Sequence, residues 1–222
     1  MILKSNYLQI SCDGGASTGK STGAKMISKK YNLKFMSSGL LYRYAGYLVL
    51  KFKPKNKIIF LKRKFNQLKY QKLEKINLHT QVISETSAKI AKMDKVRKIL
   101  KKYQLSFVKK NPNCCIEGRD ISTKILPNSK IKFFFVCSLH KASIRRFKEL
   151  KKRNPNLKLK DVKKSLRIRN LSDTNRKNSP LLKHRDSVVI DTGKLDKQAM
   201  LVKMTKTVEK ILKNKYGNRT RN

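Results

Sequence analysis

An apolar run over Tyr7–Cys12 leads directly into Gly14-Gly15-Ala16-Ser17-Thr18-Gly19-Lys20-Ser21-Thr22, after which the chain takes up a helical pattern over Gly19–Lys30. A strand that ends in a glycine-rich loop and opens a helix at a Lys-Ser pair has few uses besides holding phosphate. Gly14 and Gly19 admit backbone conformations that a side chain would obstruct, so successive N–H groups can turn inward toward phosphate oxygens. The helix that follows adds its positive N-terminal end to the same anion. In this pattern Lys20 reaches the β- and γ-phosphates of a nucleoside triphosphate, and the hydroxyl of Ser21 ligates the magnesium that travels with them. Gly14 through Thr22 are therefore the expected ATP-binding residues.

The length of 222 residues suits one sizeable core with an insertion or lid, and is short for two large independent domains. A count of 56 basic against 13 acidic residues gives a net charge of +43, which attracts phosphates, nucleotides, RNA and anionic lipid. The lysines are spread through nearly every helix and loop instead of forming one patch or tail. That distribution favours solvated positions over a dedicated nucleic-acid partner, and salt-sensitive sticking to nucleic acid is expected either way. No stretch has the apolar length of a membrane span, and Met1–Asn6 lacks the apolar region of a signal peptide, so a soluble, cytoplasmic protein is expected. Cys12, Cys114, Cys115 and Cys137 fall in apolar runs and read as buried core thiols. His79, His140 and His184 are far apart, and no zinc spacing appears.

Strand-like runs occur at Tyr7–Cys12, Leu33–Met36, Asn113–Ile116, Ile131–Cys137 and Ser187–Ile190. Helical patterns occupy Gly19–Lys30, Ser38–Leu50, Thr80–Lys92, Lys95–Lys109, Leu139–Lys152, Leu159–Asn170 and Lys194–Lys213, with Ser38, Asp94 and Asp161 as oxygen acceptors near helix starts. Near-continuous apolar strands alternating with helices predict an α/β fold of three layers around about five parallel strands. Two basic stretches interrupt the alternation. Residues 51–78 read as an inserted substrate-binding element, and residues 152–179, bounded by Pro155 and Pro180, as a mobile lid. The polar end Asn218–Asn222 is expected to fray.

Three further clusters carry chemistry. Ser37-Ser38-Gly39 with Tyr42-Arg43 opens the helix after the second strand. Glu117-Gly118-Arg119-Asp120 ends the third strand, on the sheet edge where α/β ligands lie. Arg169-Asn170-Leu171-Ser172-Asp173-Thr174-Asn175-Arg176 places guanidiniums around a carboxylate in the expected lid. With Thr80-Gln81, Val96-Arg97, Pro127, Arg145-Arg146 and Pro180-Leu181, these clusters make the chain resemble the bacterial cytidylate kinases over about four-fifths of its length. The resemblance implies a single P-loop kinase domain with a short NMP-binding insertion, and transfer of the γ-phosphoryl of ATP to CMP or dCMP. It implies a CMP pocket of Ser38, Arg43, Arg97, Arg119, Asp120, Arg169, Asp173 and Arg176. Ser38, Arg97 and Asp120 would read the cytosine edge, Arg43 and Arg119 grip the monophosphate, and Asp173 and Arg169 hold the ribose hydroxyls. The chain departs from the family pattern at His79, where an Arg is usual, at Ala88, where a serine is usual with Ser87 beside it here, and at Ser172, where the lid usually has an Arg.

The acceptor oxygen of such a reaction is already anionic, so no general base is demanded; the protein must align the two phosphates and neutralise charge. Lys20, Arg145, Arg146, Arg169 and Arg176 are the expected catalytic residues, with magnesium and ATP as cofactor and donor, and a monomer as the expected assembly. Arg146 or Arg145 paired with Glu149 is the plainer alternative for those two side chains. Another P-loop small-molecule kinase, or a basic ATP-dependent RNA-binding protein, are the rival readings.

Overall fold

The computed structural model describes residues 7–151 and 154–216. They divide into two compact units: residues up to Met36 together with those from Asn111 onward, and Ser37–Lys110. Five strands, β1 (Gln9–Gly14), β2 (Lys34–Ser37), β3 (Cys114–Gly118), β4 (Ile131–Val136) and β5 (Val188–Asp191), form one parallel sheet in the order β2-β3-β1-β4-β5. β1 lies at its centre, with Ile10 opposite Cys115 on one side and Ile131 on the other. Helices α1 (Lys20–Lys30), α6 (Leu139–Lys151), α7 (Leu159–Asn175) and α8 (Lys197–Tyr216) belong to the same unit. Ile10, Ile27, Phe133, Phe135, Ile190 and Met204 fill its main core, all sealed from water. This is the expected α/β P-loop kinase architecture. Among the described residues no helix is long and apolar enough to cross a membrane.

β1 runs two residues further toward the loop than its apolar pattern predicts. Asp13 extends it because the carboxylate is satisfied in place: Ile121 N–H donates to Oδ1 at 2.9 Å, and Ser122 N–H and Oγ donate to Oδ2 at 2.8 and 2.6 Å. A buried carboxylate with three donors can sit where an unpaired one could not. Gly14 then lies opposite Phe135, where a Cβ would come within 2.5 Å of the Phe135 carbonyl oxygen. Gly23 brings α1 equally close to the sheet, facing the Phe135 ring. Cys12, Cys114 and Cys115 are buried free thiols as expected. Cys137 falls just past β4 and is only half-buried.

Ser37–Lys110 forms a helical unit of α2 (Ser38–Phe52), α3 (Lys57–Asn66), α4 (Gln81–Ile90) and α5 (Asp94–Lys110) around Leu41, Leu48, Leu61, Leu73, Leu78 and Leu100. Helix α3 lies inside the stretch expected only as an insertion. The chain breaks at Lys53, which is left-handed at φ 40°, and restarts where Asn56 Oδ1 accepts the amides of Ile58 and Ile59. A short 3₁₀ turn, Tyr70–Lys75, follows. Capping also corrects two expectations. Ser37, not Ser38, caps α2 through Leu40 N–H, and Asp161 lies within the first turn of α7 and makes no cap.

The expected lid, residues 152–179, begins just after α6 and is built on α7; residues 152 and 153 lie outside the described residues, as does the expected frayed end Asn218–Asn222. α7 continues five residues past its expected end at Asn170. Thr174 Oγ1 donates to the Asn170 carbonyl at 2.8 Å, so a residue with weak helix preference is accommodated by bonding back to the helix.

Candidate active site

The phosphate loop is shaped by its own backbone. Ser17 and Gly19 are left-handed, at φ 57° and 82°, and Gly19 precedes the first turn of α1. Thr18 Oγ1 and Lys20 Nζ both donate to the Gly15 carbonyl oxygen at 3.0 Å, closing a ring over the loop. Gly14, Ala16, Thr18 and Lys20 are buried, whereas Ser21 and Thr22 at the start of α1 are exposed. An exposed hydroxyl at a helix N-terminus suits a magnesium ion that arrives with its phosphate oxygens. Among the described residues no cluster of three or more His, Cys, Asp or Glu could hold a metal without that help.

Lys20 sits buried in a cluster of charged side chains. Burial lowers its pKa to about 7, and the guanidiniums of Arg119 and Arg169 push it the same way. The nearby carboxylates of Glu117, at 3.8 Å, and Asp173 pull it back up. Arg169 is lowered to about 10, again chiefly by burial with Arg119 adding repulsion, and its Nε is sealed from solvent without a hydrogen bond. A buried guanidinium nitrogen left unsatisfied is an uncommon arrangement and is suited to an incoming anion.

Arg169 and Asp173 are one turn apart on α7 and so share a face, and Arg176 follows directly after the helix. Asp173 receives Arg119 Nε on Oδ2 at 2.8 Å and Arg176 on Oδ1 at 3.2 Å. Burial would raise its pKa, but Arg119, Arg169 and Arg176 outweigh that and hold it below the ordinary carboxylate value. The structure thus brings together Lys20, Arg119, Arg169, Asp173 and Arg176, drawn from three segments of the sequence. Asp120 is buried just beyond Arg119.

Arg145 and Arg146 part company. Arg145 forks onto Thr192, reaching Oγ1 at 2.8 Å and the carbonyl oxygen at 2.6 Å, while Thr192 Oγ1 donates to Thr18 O at 2.8 Å. Arg145 thereby braces the phosphate loop through the turn after β5. Arg146 pairs with Glu149 at 2.9 Å, the plainer of its two expected roles.

The remaining expected acceptor residues belong to the helical unit. Ser38 is buried at the start of α2. Arg43 donates to Leu78 O at 3.0 Å and Ser84 Oγ at 2.7 Å, and Arg97 donates to Ala91 O at 3.2 Å with its guanidinium 5.5 Å from the Tyr42 ring centroid. Ser87, beside the departure at Ala88, is buried with its hydroxyl donating to Ser84 O, and His79 is exposed.

Sequence reasoning assigned no role to Thr192, Asn170 or Asp13. Thr192 follows the C-terminal end of β5, a position that by itself marks ligand-side residues in α/β sheets. Asn170 stands within the Arg169–Arg176 run, where the charged neighbours drew the attention. Its Oδ1 accepts the Ala16 amide at 3.1 Å.

The family model described as cytidylate kinase matches residues 10–210. A cytidylate kinase of Clostridium botulinum (strain Okra / Type B1) is 32% identical over 216 residues, spanning 91% of this chain and 98% of the relative. One of Fusobacterium nucleatum is 31% identical over 217 residues, spanning 91% and 97%. Among solved structures, TT1252 from Thermus thermophilus superposes with a TM-score of 0.52 at 16% identity, covering 94% of this chain and 99% of that one, a likeness of fold alone.

Proposed function

The chain belongs to the cytidylate kinase family of ATP-dependent phosphotransferases, and from that premise we propose that CMP, with dCMP as a second acceptor, receives the γ-phosphoryl group of ATP at the charged cluster around Lys20. The observation that carries this reading is the surplus of buried positive charge. Lys20, Arg119, Arg169 and Arg176 crowd around Glu117 and Asp173; burial first, and then repulsion among these cations, depresses the pKa values of Lys20 and Arg169. Phosphate groups between them would relieve that repulsion.

In this proposal Gly14 through Thr22 bind ATP, and Ser21 holds magnesium, which supplies charge neutralisation at the phosphates. Lys20 meets the transferring group as a cation once phosphate is present. Arg119 and Arg176, both paired with Asp173, would exchange that partner for phosphate oxygens. Ser38, Arg43, Arg97 and Asp120 recognise the acceptor, with Ser37–Lys110 as the acceptor-binding part of one kinase domain. Arg145 acts by bracing the loop through Thr192. The acceptor phosphate is anionic near neutral pH, so the reaction asks for alignment and exclusion of water, not for a base. A cytoplasmic monomer with small-molecule substrates and no specific nucleic-acid partner completes the reading.

The test is a panel of nucleoside monophosphates at fixed ATP and magnesium, read by coupled ADP release. Saturable turnover with CMP and dCMP, at least about tenfold above UMP and AMP in kcat/KM, is the expected result. Equal rates with every acceptor, or ADP release independent of acceptor, overturns it.

A further inference from the structure

Two contacts bind the arginine-bearing helix to the phosphate loop. The Ala16 amide donates to Asn170 Oδ1 at 3.1 Å. The Ala16 methyl, 5% exposed, is buried with Ala142, Val162 and Leu166, so the loop forms part of the same small apolar cluster as α6 and α7. Asn170 lies beside Arg169 and one turn before Asp173, which sets the face of α7 that meets Lys20. Gly15 is the tightest neighbour: a Cβ there would stand 3.3 Å from Asn170 Oδ1, so a side chain at 15 would press on the amide group.

We propose that Asn170 is a positioning residue for phosphoryl transfer: its hydrogen bond to Ala16 N–H fixes the register of α7 on the phosphate loop and thereby places Arg169 and Asp173 against Lys20. The apolar cluster alone holds the helix near the loop but, being non-directional, does not fix its rotation. A directional bond at the edge of the cluster does, at the loop end of the contact, alongside the Arg119–Asp173 bond further along the helix. The inference rests on the kinase reading for its catalytic consequence; the hydrogen bond itself does not depend on that reading.

Two readouts test it. In the nucleotide-free protein, hydrogen exchange at the Ala16 amide is compared in wild type, Asn170→Ala and Asn170→Asp. Loss of the acceptor speeds exchange about tenfold in N170A, and the carboxylate oxygen of N170D restores protection. In steady-state kinetics with ATP and CMP, N170A lowers kcat about tenfold or more with KM for CMP changed less than threefold, since misplacement by a fraction of an ångström penalises the aligned transition state more than binding; N170D recovers most of kcat. Gly15→Ala should reproduce the N170A pattern while Asn170 is intact. Unchanged exchange at Ala16 in N170A overturns the latch. Faster exchange with unchanged kcat overturns its catalytic role. A wild-type protein without CMP-dependent turnover sinks the kinase reading instead, and the exchange result still stands or falls alone.

Discussion

The Glu117 carboxylate stands 3.8 Å from the Lys20 ammonium, and each is almost wholly buried. That charge, even with the Asp173 carboxylate acting in the same direction, does not offset what Lys20 loses by leaving water beside Arg119 and Arg169, so its pKa falls to about 7. The phosphate loop is therefore charged incompletely near neutral pH until an anion arrives.

The pH dependence of stability follows from this shift. In the unfolded chain Lys20 keeps a value of 10.5, so between about 7 and 10.5 the unfolded state carries the extra proton and the folded state gains stability as pH rises. Below 7 both states are protonated and the contribution is flat at its minimum. Urea titrations of nucleotide-free protein at pH 6, 7.5 and 9 should show wild type gaining on Lys20→Met as pH rises, with a limiting slope of about 1.4 kcal/mol per pH unit. A constant difference across that range would show that Lys20 titrates normally. The same variant should lose about a hundredfold or more in kcat.

Gly23→Ala tests the packing of α1 on the sheet. The added Cβ would meet Phe135 Cε1 at 2.7 Å and Met200 Sδ at 3.2 Å, and Phe135 has no room to retreat, being fully buried. A loss of about 1–3 kcal/mol in chemical denaturation is expected from overpacking. A variant as stable as wild type would mean that the core yields there.

Asp13→Ala removes the acceptor for two amides and a hydroxyl, leaving the Ile121 and Ser122 N–H groups without their bond in a buried turn. The expected cost is about 2–4 kcal/mol. Asp13→Asn should recover only part of it, because its amide nitrogen would face a donor.

Thr192→Val keeps the volume but deletes the hydroxyl that links Arg145 to Thr18 O. KM for ATP should rise about three- to tenfold with little change in KM for CMP, measured by varying each substrate at saturating levels of the other. Equal rises would place Thr192 outside the donor site.

The strand-loop-helix grammar of Tyr7–Lys30, the alternation of apolar runs with helices, and the charged clusters at strand ends were legible because each depends on local periodicity or residue type. Helix α3 was hidden. Ile58-Ile59-Phe60-Leu61 is a continuous apolar run with no helical stripe, and it becomes a helix because Asn56 caps it while Leu61 and Phe65 reach the core. Arg145 was legible as a cation near the loop but not as a brace, since its partner Thr192 lies 47 residues away. The pairing of Arg119 with Asp173 across 54 residues is of the same kind: both side chains stand out in the sequence, and only the fold says that they meet.

The sheet order leaves β2 and β5, each four residues long, as its outermost strands. A neighbouring molecule offered so short a margin could form only a few backbone hydrogen bonds, too few to nucleate a growing ribbon. With a chain this cationic, electrostatic repulsion between copies acts in the same direction. Concentrated solutions should accordingly resist fibril formation, and added polyanions, which cancel the repulsion, are the condition under which turbidity should first appear.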